Sequence, residues 1–199
     1  MKGDGAMITV ENCNLNEDTS APFRLDGEDV SIYLKNSVVS NMDQDFDNGR
    51  VIDDRGSDMN TIWIENSTFY NTGSRLTRDG GGTVMLFHFD HNTVVNTGDR
   101  ILDIGEVYTA VITNNIFKDC GFLGRANDGT LELINIDSIA GAVQDITISN
   151  NNFFTDPRYA ALLPDSAMVV PMFNMTAKAF VDEAGTGETM LTEDVMFNN

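Results

Sequence analysis

Cations are scarce in this chain: 12 lysines and arginines stand against 31 aspartates and glutamates, a formal charge of −19. No basic stripe of the kind that neutralises phosphates is present, so nucleic acid is not an expected partner. The same charge repels anionic membranes and anionic polymers unless a cation mediates. Cysteine is nearly absent too. Cys13 and Cys120 are the only two, and they fall at different places in the repeat described below. Two unpaired, mostly buried thiols are expected rather than a disulfide framework. No apolar run approaches the length of a membrane-spanning helix. The opening Met-Lys-Gly-Asp-Gly leads straight into the first repeat, so no signal peptide is expected. That fits a cytoplasmic protein or a piece of a longer one. Helical spacing of apolar residues is missing throughout.

What the chain does have is a repeat. The stretch Thr61–Asn71, Thr-Ile-Trp-Ile-Glu-Asn-Ser-Thr-Phe-Tyr-Asn, has five relatives, starting at Ile8, Ile32, Phe87, Ala110 and Ile146. Each reads apolar, outward, apolar, mostly polar, then Asn, with His once. Those anchors are Asn12, Asn36, Asn66, His91, Asn114 and Asn150, at intervals of 24, 30, 25, 23 and 36 residues. Alternation with period two inside each copy is the mark of a strand. A strand recurring at such a period is the mark of a solenoid.

Stacking the copies makes rows. Ile8, Ile32, Ile62, Phe87, Ala110 and Ile146 form one inward row. Val10, Leu34, Ile64, Phe89, Ile112 and Ile148 form the next, and Leu15, Val39, Phe69, Val94, Phe117 and Phe153 a third. No single copy can bury these side chains, so neighbours must cover them. The Asn anchors suit a left-handed bend out of the strand, and His91 is read as a turn residue too. Asn41, Asn71, Asn96 and Asp119 make a second polar row. Arg24, Arg50, Arg75, Arg100 and Arg125 recur every 25 or 26 residues, with Asp26, Asp53, Asp79 and Asp103 close behind. An Arg–Asp ladder on the outer surface is the simple reading; a binding stripe for an acidic ligand is the sharper one.

The expected organisation is repeats over 1–155, with insertions near 43–58 and 124–142. Residues 156–199 form an irregular segment covering the last coil, with room for a final imperfect coil near 179–185. The first coil has no such cover, so either a preceding segment or end-to-end contact with another chain is expected.

The copies at 65–71, 91–96 and 113–119, with Asn-Asn-Phe-Phe-Thr-Asp-Pro at 151–157 and Phe180-Val-Asp-Glu-Ala-Gly185, carry a resemblance. The chain resembles the right-handed parallel β-helix superfamily of pectate lyases, above all its chondroitinase-B/alginate-lyase-like branch. Secreted, glycan-handling β-helix domains of unknown function are similar too. The resemblance covers roughly residues 6–185 and lies in the turn and core rows. It implies an all-β, right-handed, single-stranded parallel β-helix, a solenoid of about six to seven coils. It also implies an extracellular or cell-surface setting, and a polysaccharide as partner along one exposed face. Lyases of that family use a Lys or Arg base with calcium held by carboxylates, but no segment here matches such a motif residue by residue. Fold alone does not carry function across.

Chemistry can sit where the coil does not dictate the residue. Outward on the first strand lie Thr9, Tyr33, Trp63, His88, Val111 and Thr147; beside them lie Glu11, Lys35, Glu65, Asp90, Thr113 and Ser149. Tyr33, Trp63 and His88 with Lys35, Glu65 and Asp90 are the candidate ligand-binding residues. Sugars pack apolar faces on rings while hydroxyls meet polar edges. The alternative is cross-strand aromatic stacking that only stabilises the sheet. As a lyase site, Lys35 would be the base and Glu65 with Asp90 the calcium pair, yet a Lys between Glu11 and Glu65 should stay protonated. A glycosidase pairing Glu65 with Asp90 fits by residue type alone.

Asp43, Asp45, Asp47 and Asp54 partly match a calcium loop, which wants oxygens at its first, third, fifth and twelfth positions. Asn48 stands where that loop has Gly, and Asp54 replaces its Glu. A solvated acidic loop is the alternative. The leading expectation is a non-enzymatic, carbohydrate-associated module. A polysaccharide lyase or hydrolase fragment, and a structural module of a fibre, adhesin or spike, are the two alternatives.

Overall fold

Alternating side chains leave one row of each strand nothing to do but face a neighbour, and stacked parallel strands are the result. The computed structural model describes residues 3–42, 49–125, 133–154 and 189–190. Among them are strands and no helix. In chain order come β1 (Met7–Glu11), β2 (Asn14–Asn16) and β3 (Phe23–Arg24), then β4 (Val30–Lys35), β5 (Val38–Met42) and β6 (Ile52–Asp53). Next are β7 (Met59–Glu65), β8 (Thr68–Thr72), β9 (Thr77–Arg78), β10 (Thr83–Asp90) and β11 (Thr93–Asp99). They are followed by β12 (Leu102–Thr113), β13 (Ile116–Arg125), β14 (Ile134–Asp137), β15 (Asp145–Ser149), β16 (Asn152–Phe154) and β17 (Thr189–Met190).

All pairings are parallel. One curled sheet runs β1-β4-β7-β10-β12-β9-β6-β3, with β14 and β15 also on β12; the other runs β17-β16-β13-β11-β8-β5-β2. Each strand therefore pairs with its counterpart in the next repeat, an arrangement compatible with a β-helix. Strand β12 joins two roles: Leu102 pairs with Thr77 of β9, while Thr83–Asp90 of β10 pair with Glu106–Thr113. Strands β6 and β14 lie inside the stretches 43–58 and 124–142, so part of each stretch is woven into the sheet.

The register reproduces the expected rows. Ile8 pairs with Ile32, Ile32 with Ile62, Ile62 with Phe87, Phe87 with Ala110 and Ala110 with Ile146. Leu15, Val39, Phe69, Val94, Phe117 and Phe153 likewise pair in succession. The middle of each row is buried, and Phe117 stacks on Phe153 with ring centroids 4.9 Å apart. The ends are not: Ile8 is only partly buried and Ile146 is 37% exposed. Strand β1 has a neighbour on one side only among the described residues, and so has β15.

Both polar rows do bend the chain. Asn12, Asn36, Asn66, His91, Asn114 and Asn150 all have φ between 49° and 59°. Asn41, Asn71, Asn96 and Asp119 do the same at 54° to 63°, the left-handed region that Asn and Asp tolerate best. Glu17 holds the equivalent place in the first repeat at φ 63°. Part-buried carboxamides link successive repeats: Asn71 Nδ2 donates to Asn41 Oδ1 at 3.0 Å and Asn96 Nδ2 to Asn71 Oδ1 at 2.7 Å.

A third polar file lies one residue after each anchor, and is buried from Ser37 onward. Cys13 N donates to Ser37 Oγ, Ser37 N to Ser67 Oγ, Ser67 N to Asn92 Oδ1, Asn92 N to Asn115 Oδ1 and Asn115 N to Asn151 Oδ1. The amides of Asn92, Asn115 and Asn151 also donate to the carbonyls of Ile64, Phe89 and Ile112. This file satisfies backbone groups where the chain leaves one sheet for the next.

The arginine series behaves differently from expectation. Arg24 pairs with Asp53, and Asp53 with Arg78, so Arg24 is out of step with Arg50, Arg75 and Arg100. The interval between paired positions is 29 residues there, because the stretch 43–58 intervenes. Nor is the ladder a solvated surface. Asp53 is fully buried and Asp103 nearly so. Of the cysteines, both are unpaired; Cys120 is buried but Cys13 is exposed.

Candidate functional site

The outward positions of β4, β7, β10 and β12 are set by the same register that buries their neighbours. Tyr33 pairs with Trp63, Trp63 with His88 and His88 with Val111. One step along, Glu11 pairs with Lys35, Lys35 with Glu65, Glu65 with Asp90 and Asp90 with Thr113. The six candidate ligand-binding residues thus lie in two adjoining rows on three consecutive strands. All six are half-buried.

The rings are engaged with one another. Trp63 and His88 stack at 3.7 Å between centroids, 14° from parallel. From the strand on the other side, Lys35 Nζ lies 5.1 Å over the indole. Both faces of Trp63 therefore meet protein, and the residue is half-buried. The indole Nε1 donates to Glu65 Oε2 at 2.9 Å, and Lys35 Nζ lies 3.5 Å from the same oxygen. Asp90 accepts from Thr113 Oγ1 at 2.5 Å and Asn114 Nδ2 at 2.9 Å, and pairs with His91 Nδ1 at 2.6 Å.

These contacts set the protonation states. The Trp63 hydrogen bond, with help from the Lys35 ammonium, holds the Glu65 carboxyl below its ordinary range. Burial works upward on Asp90, but the hydrogen bonds of Thr113, Asn114 and His91 outweigh it and the net shift is downward. Burial lowers His88, against the opposing pull of Asp90 and Glu65. The row thus carries two firmly ionised carboxylates beside a neutral imidazole at neutral pH.

Comparison with protein-family models, with curated proteins and with solved structures finds no match.

Of the four residues of the calcium-loop reading, Asp43, Asp45 and Asp47 lie outside the described residues. Asp54 is buried, and its Oδ1 accepts from Gly56 N at 2.9 Å and Gly80 N at 2.7 Å. Burial, ahead of the counter-pull of those two amides, pushes Asp54 up to about 6. A Cβ on Gly80 would collide with the Gly56 backbone, so the two turns touch main chain to main chain here. Among the described residues no three His, Cys, Asp or Glu side chains are grouped to hold a metal ion.

Sequence reasoning picked out the Arg–Asp series but placed it on the outer surface; it gathers instead around buried Asp53 and Asp103, at the start of β6, β9 and β12. Four arginines gather on Asp53: Arg78 Nη1 at 3.1 Å, Arg50 Nη1 at 3.2 Å, Arg24 Nε at 3.7 Å and Arg55 Nη1 at 4.0 Å. Arg75, Arg100 and Asn135 gather on Asp103. Arg55 holds φ 61°, uncommon for a residue with a Cβ. The signal available was Asp53-Asp54-Arg55-Gly56, an acid pair followed by a turn.

Proposed function

We propose that the chain is a right-handed parallel β-helix of about six to seven coils, and an extracellular carbohydrate-associated module that holds a polysaccharide without turning it over. The ligand runs along the outward face of the first strand row. The observation that carries this reading is the pair of adjoining rows, Tyr33–Trp63–His88 and Lys35–Glu65–Asp90, at strand spacing on successive turns. Because Trp63 and His88 stack on each other, a sugar meets a corrugated strip of ring edges and ionised groups. Hydroxyls then bond to Glu65, Asp90 and the exposed carboxamides of Asn36, Asn66 and Asn114 beside them.

The protonation states support binding over catalysis. Two carboxylates both held below their ordinary range supply no general acid to a glycosidic oxygen. Lys35, the base a lyase would need, is ion-paired with Glu65. Binding to a panel of soluble polysaccharides, lost in Trp63→Ala, is the expected result. Retained binding in that variant, or new ultraviolet absorbance from unsaturated uronate, would overturn it.

A second reading is favoured by the other end of the sheets. Strands β1 and β2 are both edges among the described residues, and Met7 is 68% exposed. Such edges accept another parallel strand, which suits a structural module joined end to end. A mass that grows with concentration in sedimentation experiments, and is abolished by Thr9→Pro in β1, is its signature.

A further inference from the structure

Within the proposed binding row, the position of one side chain identifies the ligand's charge. Lys35 Nζ lies 3.5 Å from Glu65 Oε2 and 5.1 Å over the Trp63 ring. A carboxylate at the edge of an aromatic face is a favourable place for an ammonium, and here the chain fills it with its own. One strand further on, Asp90 repeats the carboxylate in register with Glu65. Its partners there among the described residues are the Thr113 hydroxyl, the Asn114 amide and the His91 ring, not an ammonium or a guanidinium.

From this we infer that the row selects a glycan bearing primary ammonium groups, a polymer of de-N-acetylated amino sugars, over one bearing carboxylates or sulfates. This rests on the polysaccharide-binding reading above and narrows it. A ligand ammonium sits between Glu65 and Asp90, which adjacent strands hold about 5 Å apart at the backbone. There it competes for Glu65 with the Lys35 ammonium, which lies on the opposite side of the Trp63 ring. The rest of the row points the same way. Lys35 is the one cation among the acids Glu11, Glu65 and Asp90. Burial keeps His88 neutral at neutral pH. The arginines described around Asp53 and Asp103 belong to the other half of the sheet, on β3, β6, β9 and the start of β12. An acidic sugar on this row would meet carboxylates with no cation to spare.

The test is calorimetric titration of the full chain with three short oligosaccharides of equal length: glucosamine, N-acetylglucosamine and galacturonate. Short probes limit the general attraction between a polycation and an acidic protein. Glucosamine oligomers are expected to bind at least about tenfold more tightly than galacturonate. Glu65→Gln/Asp90→Asn should lose about tenfold for glucosamine, while Glu28→Gln/Glu106→Gln, an equal charge change at two exposed positions, should stay within about twofold. Lys35→Ala removes the resident ammonium and should tighten glucosamine binding several-fold. Equal losses in the two double variants, weaker binding in Lys35→Ala, or a preference for galacturonate would each overturn the inference while leaving polysaccharide binding intact. Failure to bind any of the three and any polysaccharide of the panel above would overturn the binding reading itself. Melting temperatures of the variants identify any loss of fold.

Discussion

Two charged files run through this molecule, and they are built alike but placed differently. One is the arginine and aspartate cluster at the start of β6, β9 and β12; the other is the Glu11–Lys35–Glu65–Asp90 row at the far ends of β1, β4, β7 and β10. In the first, Asp53 has no exposed surface and four guanidinium groups gather around it. In the second, the Lys35 and Glu65 side chains are 33% and 38% exposed and make one ion pair at 3.5 Å. A buried carboxylate must be matched by several donors, because an unmatched one is very costly to desolvate. A half-exposed pair gains little from its own contact and is free to exchange it for a ligand. Regular spacing alone does not separate a structural ladder from a binding strip; burial does.

The sharpest way to break the comparison is to remove an acid from the buried file. Asp53→Ala leaves several partly buried guanidinium groups facing one another and is expected to cost about 3–5 kcal/mol in urea denaturation. Asn115→Ala extends the comparison to a neutral network: it strands Asn92 N and Phe89 O, at about 1–3 kcal/mol each, for a total near ~3 kcal/mol. A stability loss within experimental error in either variant would mean that water replaces the missing partner.

Asp54 gives a pH-dependent version. Its folded value of about 6 lies above the ordinary 3.8, chiefly through burial. The neutral form is thus favoured by folding. Its contribution is fully present below pH ~4 and is lost as pH rises through ~6. Asp54→Asn keeps an oxygen for the Gly56 and Gly80 amides without the charge. It should gain about 2 kcal/mol at pH 7 and flatten the melting curve against pH between those limits. A variant less stable than the parent at pH 7 would show that the charge itself is needed. Smallest in stability is Trp63→Ala, expected to cost about 1 kcal/mol through the His88 stack. Its loss of glycan binding should be complete.

Much of the fold was legible because two constraints act together. Period-two alternation shows which face of a strand is inward, and the Asn anchors align the copies. From these the in-register rows through Ile62, Ile64 and Phe69, and the outward pair Trp63 and Glu65, could be read before any coordinates. The arginine file could not be read so. Spacings near 25 residues suggested that Arg24 belongs with Arg50, but registry depends on how much chain the intervening turn takes up. That length is not encoded in any local pattern. The inner file escaped for another reason. Cys13, Ser37, Ser67, Asn92, Asn115 and Asn151 occupy one column, and small polar residues after a turn read as solvent-facing unless the left-handed bend is known to swing them inward. Ring stacking between Trp63 and His88 follows from register alone, while the position of the Lys35 ammonium depends on side-chain rotamers that no spacing specifies.

The inner file has a chemical consequence for the outer one. Exposed asparagines age when the backbone nitrogen of the following residue attacks the side-chain carbonyl, closes a cyclic imide and releases ammonia. In Asn12, Asn36, Asn66 and Asn114 the nitrogens in question belong to Cys13, Ser37, Ser67 and Asn115. Each of them is held as a donor to the next turn. A nitrogen committed to that bond, on a backbone fixed by its neighbours, cannot swing onto the side chain beside it. These four asparagines are thereby shielded from the decay that exposed asparagine invites, and deamidation at Asn12, Asn36, Asn66 and Asn114 in long storage, followed by peptide mass, should begin only once the fold is lost.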